Sequence, residues 1–318
     1  MAANWMRRTF VAAACASAAL LTACGSSSVD SAISPDRFVV FGDGLADQGQ
    51  LGHSFTVNDG TINSWPAEFA SRYDVTLTPS SQGGTNYAYG NARIAQTPDA
   101  AGNAGTPTVV QQIDTFLGSS QFTSNDLVVI SAGVSDVIAN TMAYLNGTIT
   151  EDELMANAAQ AGADLAAQVT RVINAGATHV VVTGTFDLSR TPWAKQIDKE
   201  QLLTQVMLAL NNRLKIDINS LGGKRVLYVD AAYQVNLFQG SPGSYGFQNS
   251  DVAVCTSVDS GPGIGTGNNQ ISSALCTPNT VLPNSSYNLY VFADNVYLTP
   301  EANRRLGDYA HDIVVQQW

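Results

Sequence analysis

Four aspartates follow apolar runs of the chain, at places where a carboxylate could take part in chemistry: Asp43, Asp47, Asp136 and Asp294. The carboxyl ends of parallel strands meet at one edge of a sheet, where α/β proteins bind ligands, so these side chains could gather there. A cluster of this kind could bind a cation or activate a water molecule. Acids at strand-to-helix turns more commonly cap helices and hold loops. We therefore predict structural roles for the first three, and neither a metal site nor a cofactor.

The elements that would position these acids are short runs rich in Val and Ile, which are typical of strands buried on both faces. Strand-like and helix-like segments alternate along the chain. This alternation predicts an α/β protein with a parallel sheet covered by helices. The predicted strands are residues 37–41, 127–131, 179–183, 225–229 and 289–292.

Apolar residues recur at helical spacing over 154–172 and 203–221, and Gly222-Gly223 would end the second of these helices. A last helix is predicted to begin at Thr299-Pro300-Glu301, which supplies a cap, a first-turn proline and an early acid. Residues 240–285 are rich in Gly, Ser, Pro and Asn, and predict a long irregular excursion. Excursions of this size often form one wall of a binding cleft.

Four blocks, in the right order, resemble the GDSL/SGNH hydrolases, a family of ester hydrolases of the lipase/acylhydrolase type. They are Gly-Asp-Gly-Leu-Ala-Asp at 42–47, Gly-Thr-Asn-Tyr-Ala-Tyr-Gly-Asn-Ala-Arg at 84–93, Ser-Ala-Gly-Val-Ser-Asp at 131–136 and Phe-Ala-Asp-Asn-Val-Tyr-Leu-Thr at 292–299. The resemblance extends from residue 37 to about residue 314. It implies one domain over 37–318, a three-layer α/β/α sandwich of flavodoxin-like type.

The resemblance also implies a Ser-His-Asp triad, in which the serine attacks the ester and the histidine accepts its proton. The sequence departs from that pattern, because Gly44 stands at the nucleophile position and Tyr297 at the base position. Only Asp294, three residues before Tyr297, keeps the expected side chain. Loss of a triad nucleophile or base costs on the order of 10⁶ in rate. A phenol with an ordinary pKa of about 10 is a poor base near neutral pH.

The oxyanion-binding positions implied by the family are altered as well. Ser135 replaces the asparagine of the third block, and the Gly-Gly of the second block reads Gly90-Asn91. The backbone N–H groups of Gly44 and Gly90 are expected to remain as donors. Loss of one oxyanion donor costs about 10²–10³ in rate. Replacement of serine by Gly44 is also expected to open space where an acyl carbon would lie.

Three histidines could in principle replace the missing base. His53 lies in a loop that could border the cleft, His179 opens an apolar strand, and His311 lies well inside the last helix. A histidine at the start of a buried strand is more commonly packed or hydrogen-bonded than catalytic. We expect none of the three to act as the base, and His53 is the best placed of them.

The N-terminus resembles a bacterial lipoprotein signal. Arg7-Arg8 precede an apolar segment, 10–21, that is too short to span a bilayer stably. Leu-Thr-Ala-Cys then ends at Cys24, which is expected to be lipidated after removal of residues 1–23. Gly25 follows, which favours the outer membrane of the cell envelope. Residues 24–36 are predicted to be a flexible tether. The alternative to lipidation is an ordinary signal peptide in which Cys24 occurs by chance.

The net charge restricts the class of binding partner, and the positions of two cysteines indicate a disulfide. The formal net charge of −11 argues against nucleic acid, whose phosphates need clustered Lys and Arg. Cys255 and Cys276 flank a glycine-rich segment, and no histidine lies nearby in sequence to complete a metal site. In an oxidising compartment they are predicted to form a disulfide.

These features favour a catalytically inactive or very weak esterase homologue of the cell envelope, which binds an acyl or glycan ligand. Two alternatives remain open. The chain could be an active esterase or lipase with an unidentified nucleophile, or a structural envelope lipoprotein with no ligand. The oligomeric state is left open by the sequence.

Overall fold

The structure is a computed structural model that describes residues 33–61, 64–221, 223 and 225–318. The predicted signal peptide, Cys24 and most of the tether lie outside the described residues. The last tether residues already contact the domain, since Pro35 is buried and the Asp36 N–H donates to the Asn125 carbonyl at 3.0 Å. No helix among the residues that the structure describes combines the length and the apolar character needed to cross a membrane.

Four parallel strands form the central sheet, in the spatial order in which they occur along the chain. They are β1 (Arg37–Gly42), β2 (Asp126–Ser131), β3 (His179–Thr183) and β4 (Val226–Tyr228). All of β2 is buried, as the Val- and Ile-rich run predicted. The parallel sheet and its flanking helices confirm the predicted α/β fold class.

The free edge of β1 is covered by the second sequence block. The Val40 N–H donates to the Thr85 carbonyl at 3.0 Å, and the Tyr87 N–H donates to the Val40 carbonyl at 2.7 Å. The Tyr89 N–H donates to the Gly42 carbonyl at 3.2 Å. Residues 85–89 therefore extend the sheet beside β1, which gives the order 85–89, β1, β2, β3, β4 and places β1 inside the sheet.

Helices form a layer on each face of the sheet. One layer contains α8 with α1 and α7, each of which contacts α8, and the other contains α2, α3, α4 and α6. The bounds are α1 (Trp65–Ser71), α2 (Val109–Ser119), α3 (Val134–Leu145), α4 (Glu151–Asn174), α5 (Pro192–Gln196), α6 (Glu200–Asn219), α7 (Ala231–Gly240) and α8 (Pro300–Gln317).

Local sequence signals account for the helix starts better than for the helix ends. The Thr299 Oγ1 accepts from the Ala302 N–H at 3.3 Å and caps α8, as its sequence predicts. Thr150 forms a capping box with Glu153 at the start of α4. Helix α6 ends at Asn219 rather than continuing to Gly222-Gly223. Gly222, the first of the two glycines, lies outside the described residues.

The sequence predicts residues 289–292 as a fifth strand of the main sheet, and this assignment to the main sheet is wrong. Residues Tyr290–Phe292 form β8, which pairs in parallel with β5 (Asn249–Ala253) in a separate two-stranded sheet. A run of three residues can pair with any free edge, and the nearby excursion offers one. A further antiparallel pair, β6 (Val258–Asp259) and β7 (Gln270–Ile271), lies within the excursion.

The excursion is held by the predicted disulfide. Cys255 and Cys276 are joined, with their Cα atoms 5.9 Å apart. Both cysteines are buried in a small apolar cluster with Val57, Val254 and Ala293, separate from the main core. The cross-link therefore closes the excursion on itself, and the Cys255 N–H joins it to the fourth sequence block by donating to the Ala293 carbonyl at 2.9 Å.

Replacement of both cysteines by serine should lower the free energy of unfolding by about 3 kcal/mol, because the bond closes a loop of 21 residues in the unfolded chain. Denaturant unfolding of oxidised, reduced and double-serine protein measures the loss. The reduced wild type should match the double variant. A difference below about 1 kcal/mol would show that the excursion is held by packing alone.

Candidate functional site

The turn after β1 is built around a glycine that no larger residue could replace. A Cβ on Gly42 would lie 2.0 Å from the Ser131 carbonyl oxygen. The Gln112 side chain holds the same residue from the other side, since its Oε1 accepts from the Gly42 N–H and its Nε2 donates to the Gly42 carbonyl, both at 2.9 Å. The position of Gly42, two residues before Gly44, is therefore fixed by close packing and by these hydrogen bonds.

Asp43 joins the first block to the third. Its carboxylate is buried and accepts from the Leu45 N–H at 3.1 Å, from Gly133 at 3.0 Å and from Val134 at 2.9 Å. The last two donors belong to the start of α3, where the helix dipole favours a negative charge. Burial nevertheless raises the pKa of Asp43 to about 7, with the backbone N–H groups acting in the opposite direction.

Asp47 joins the first block to the second. It accepts from the N–H groups of Gly49 at 2.8 Å, Gln50 at 2.9 Å and Gly90 at 2.8 Å. Burial raises the pKa of Asp47 to about 6. The Gly90 N–H, which the family resemblance offers as an oxyanion donor, is therefore already bonded to a carboxylate.

Asp136 and Asp294 hold backbone in the same way. Asp136 accepts from the Ile94 N–H at 2.9 Å and pairs with Arg93 at 3.3 Å, while burial raises its pKa to about 6. Asp294 accepts from the N–H groups of Val296 at 2.8 Å, Tyr297 at 2.6 Å and Ser273 at 2.9 Å. Burial also raises the pKa of Asp294. Both carboxylates are thus occupied by structural hydrogen bonds.

The space over Gly44 is filled by the side chain of Tyr297. A Cβ built on Gly44 would lie 2.7 Å from the Tyr297 Oη and 2.8 Å from its Cζ. The φ angle of Gly44 lies outside the left-handed region, so no backbone requirement selects glycine here. Tyr297 is fully buried. The open space expected at Gly44 is therefore absent, because the residue at the base position occupies it.

Phe55 covers Tyr297 and also fills the space beside the second block. The Phe55 and Tyr297 rings lie 5.1 Å apart, and a Cβ on Gly90 would lie 1.8 Å from Phe55 Cε2. Sequence reasoning missed Phe55 entirely. The only signal was indirect, since glycines at the nucleophile position and in the second block leave room for two large rings.

The buried hydroxyls of the site include Tyr297 Oη and Ser135 Oγ, which lie close enough to influence each other but form no hydrogen bond of good geometry with any described residue. Burial raises the pKa of Tyr297 well above its ordinary value, and the nearby charges of Asp43 and Asp294 raise it further, although the Ser135 hydroxyl acts in the opposite direction. The phenol is therefore neutral near pH 7. It can serve neither as a base nor as an anionic nucleophile.

The Asn91 side chain holds the excursion. Its Nδ2 donates to the Gly263 carbonyl at 2.9 Å, and its backbone has a left-handed φ of 61°. Ile264 beside this contact is fully buried. The excursion therefore packs over the second block, as expected for a wall of the cleft.

None of the three histidines reaches Gly44 as a base would. His53 is half-buried and its ring lies 6.0 Å from that of Phe55, which separates it from Tyr297. His179 packs on Trp318 at 4.9 Å, at the amino end of β3, and His311 packs on Tyr73 at 5.3 Å. Within the described ranges, no group of three or more His, Cys, Asp or Glu side chains could hold a metal ion.

Comparison with known proteins identifies a family but no characterised relative. The model of the family described as GDSL-like Lipase/Acylhydrolase matches residues 38–310. No curated protein matches the chain significantly. A member of the lipolytic protein G-D-S-L family from Veillonella parvula DSM 2008 is 11% identical, with a TM-score of 0.44 over 87% of this chain and 97% of that chain. Est24, a carbohydrate acetylesterase from Sinorhizobium meliloti, is 14% identical, with a TM-score of 0.39 over 88% of this chain and 98% of that chain.

The contact between Gly44 and Tyr297 predicts strong coupling between the two positions. Gly44→Ala should lower the free energy of unfolding by about 1–3 kcal/mol, because the new methyl group overpacks against a buried ring. In a Tyr297→Ala background the same change should cost almost nothing. A double-mutant cycle by denaturant unfolding measures the coupling. Gly118→Ala, on an open face of α2, is the control and should be neutral or stabilising. Equal costs in both backgrounds would contradict the filled site.

The buried acids predict that stability falls as pH rises through the weakly acidic range. The pKa of Asp43 rises from 3.8 to about 7, and that of Asp136 from 3.8 to about 6. The folded protein therefore binds more protons than the unfolded chain between about pH 4 and 7, so its free energy of unfolding decreases across this interval. Urea unfolding from pH 4 to pH 8 tests the sign. Asp136→Asn should flatten the slope, whereas Asp152→Asn, at the exposed start of α4, should leave it unchanged.

Proposed function

This chain belongs to the GDSL-like lipase/acylhydrolase family, and on that premise we propose that it is a member without ester-hydrolase activity, which acts in the bacterial cell envelope as a lipid-anchored binding protein. The observation that carries the proposal is the contact between Gly44 and the buried Tyr297 ring. The nucleophile is missing, and the volume that an ester would need is filled by protein.

The remaining groups supply no substitute mechanism. A neutral phenol whose pKa is raised by burial does not accept a proton at neutral pH. The Asp294 carboxylate accepts three backbone N–H bonds, and no histidine ring lies between it and Gly44. The Ser131 hydroxyl accepts from Trp65 Nε1 at 3.2 Å, which supports a structural role for it.

The oxyanion-binding groups are weakened in parallel. The Gly90 N–H donates to Asp47 at 2.8 Å, so it is already bonded and cannot point freely at a developing oxyanion. Ser135 offers a short hydroxyl in place of the family's amide. Loss of these donors would cost further orders of magnitude in rate if a nucleophile were present. Inactivity is therefore supported by several independent positions.

A polar ligand is favoured over an acyl chain in the space that remains beside the filled site. A cavity of about 320 Å³ lies there, and the described residues that line it include no apolar side chain. They are Gln48, Gly49, Gly52, His53, Ser54, Asn58, Gly60 and Gln82. Amide and hydroxyl groups both donate and accept hydrogen bonds, as the hydroxyls of a glycan require.

The envelope location rests on the N-terminal sequence. Arg7-Arg8, the short apolar segment and Leu-Thr-Ala-Cys24 form the pattern of a lipoprotein signal. The Cys255–Cys276 disulfide is compatible with an oxidising compartment. Incorporation of radiolabelled palmitate into wild-type protein but not into Cys24→Ser would support lipidation, and equal labelling of both would contradict it.

The mature protein should not hydrolyse a short-chain chromogenic ester, and it should not react with a fluorophosphonate probe. Tyr297→Phe serves as a matched variant, because it keeps the ring and removes the hydroxyl nearest Gly44. Turnover that is equal in wild type and Tyr297→Phe, and that disappears on further purification, would reflect a contaminant. Purified turnover that is lost in Tyr297→Phe would refute the inactive assignment.

Restoration of the family residues tests whether the site is blocked by the substitutions themselves. Gly44→Ser alone should remain inactive and be destabilised, because Tyr297 occupies the space of the new side chain. Gly44→Ser with Tyr297→His and Ser135→Asn should be better tolerated and should react with the fluorophosphonate probe. A single Gly44→Ser variant that reacts as strongly as the triple variant would contradict the role of Tyr297 as the blocking side chain.

A further inference from the structure

A groove lined by tyrosines lies in the helix layer of α7 and α8, and it shares no residue with the Gly44 site. Its volume is about 290 Å³. We call it the tyrosine groove, and its lining residues are Gln234, Tyr245, Arg305, Asp308, Tyr309 and Asp312. It lies along α8 beyond the first turn of that helix, on the outside of the molecule.

An exposed aromatic ring extends this groove. Tyr233 on α7 has 56% of its surface exposed, and its ring centroid lies 6.5 Å from that of Tyr309, with 42° between the ring planes. Tyr233 and Tyr309 together present two neighbouring aromatic rings at the edge of the groove. Tyrosine offers a rigid apolar face together with a hydroxyl, so it can pack against an amphipathic ligand with little loss of side-chain entropy.

Arg305 is held in a fixed position in the groove. Its Nη2 pairs with Glu301 at 2.9 Å, and its guanidinium carbon lies 5.9 Å from the centre of the Phe247 ring. A Cβ built on Gly246 would lie 3.3 Å from the same nitrogen, so the Arg305 side chain packs closely against Gly246 as well. The Arg305 Nε is buried and has no hydrogen-bond partner. Because this Nε is buried it cannot reach a ligand, whereas the Arg305 side chain as a whole is 39% exposed and offers its terminal nitrogens to the groove.

The charges of the groove have both signs. Asp308 pairs with Arg72, and Asp312 has 70% of its side chain exposed. A cationic ligand would meet the guanidinium of Arg305, and an anionic ligand would meet two carboxylates. A neutral ligand with many hydroxyls avoids both repulsions, because each hydroxyl can accept from Arg305 or Gln234 and donate to Asp308 or Asp312.

We propose that the tyrosine groove binds a neutral oligosaccharide. Sugar rings pack their C–H faces against Tyr233 and Tyr309, while their hydroxyls bond to Arg305 and to the aspartates of α8. The inference rests on the proposed binding role of the protein. It adds a class of ligand and a second binding site on the surface, apart from the cavity beside His53. Because the groove and the Gly44 site have no residue in common, ester turnover has no bearing on it, and each proposal can fail without the other.

The test applies the purified mature protein to an array of immobilised oligosaccharides and then measures the best neutral binder by calorimetry. Tyr233→Ala should weaken binding at least tenfold, because it removes the exposed ring and leaves a good helix former. Arg305→Lys should also weaken binding, because lysine keeps the charge but loses the planar donors. Tyr144→Ala is the control, since Tyr144 lines a different, charged cavity beside α4 and α6, and it should bind like the wild type.

Thermal melting of each variant should confirm that the fold is intact before binding is compared. The proposal is overturned if the wild type binds no neutral oligosaccharide on the array at millimolar concentration. It is also overturned if Tyr233→Ala or Arg305→Lys binds as tightly as the wild type. Preferential binding of choline or another quaternary ammonium would overturn it too, because the groove would then be an aromatic site for cations.

Discussion

The steric relation between Gly44 and Tyr297 determines the character of the whole site. A glycine two residues after the end of β1 leaves a volume that a buried phenol fills, and the phenol in turn excludes any side chain from that glycine. Each residue is compatible with close packing only because of the other. A substitution at either position alone would leave a cavity or an overlap. The pair therefore behaves as one structural unit, and the Tyr297 side chain is part of the main apolar core.

The scaffold around this pair is held by carboxylates that bond to backbone rather than to ligands. Asp43 connects the end of β1 to the start of α3, Asp47 connects it to the second block, and Asp294 closes its own turn against Ser273. Each of these acids satisfies several N–H groups in loops that have no other regular partner. These hydrogen bonds fix the loops that carry the four sequence blocks. The three N–H groups bonded to Asp294 give this residue a structural role of its own.

Closure of the site involves parts of the chain that are distant in sequence. Phe55 packs on Tyr297 and against Gly90, and the disulfide-bonded excursion meets the second block through Asn91 and Gly263. The Gly44 position is therefore covered by buried aromatic side chains. Binding at the surface is therefore better served by features outside it, such as the polar cavity beside His53 or the tyrosine groove along α8.

The sequence alone determined the four central strands, the long helices, the cap at Thr299, the disulfide and the family, because each depends on local composition, periodicity or a short motif. It also identified Gly44 and Tyr297 as departures from the family pattern. Only the tertiary structure decided that Tyr297 fills the space at Gly44, that Phe55 covers it, and that β8 pairs with the excursion instead of with the main sheet. These contacts join residues that lie far apart along the chain, and their distances depend on how the loops pack. Residue type shows at most that Gly44 and Gly90 leave room for larger neighbours, and it does not say which side chains fill that room.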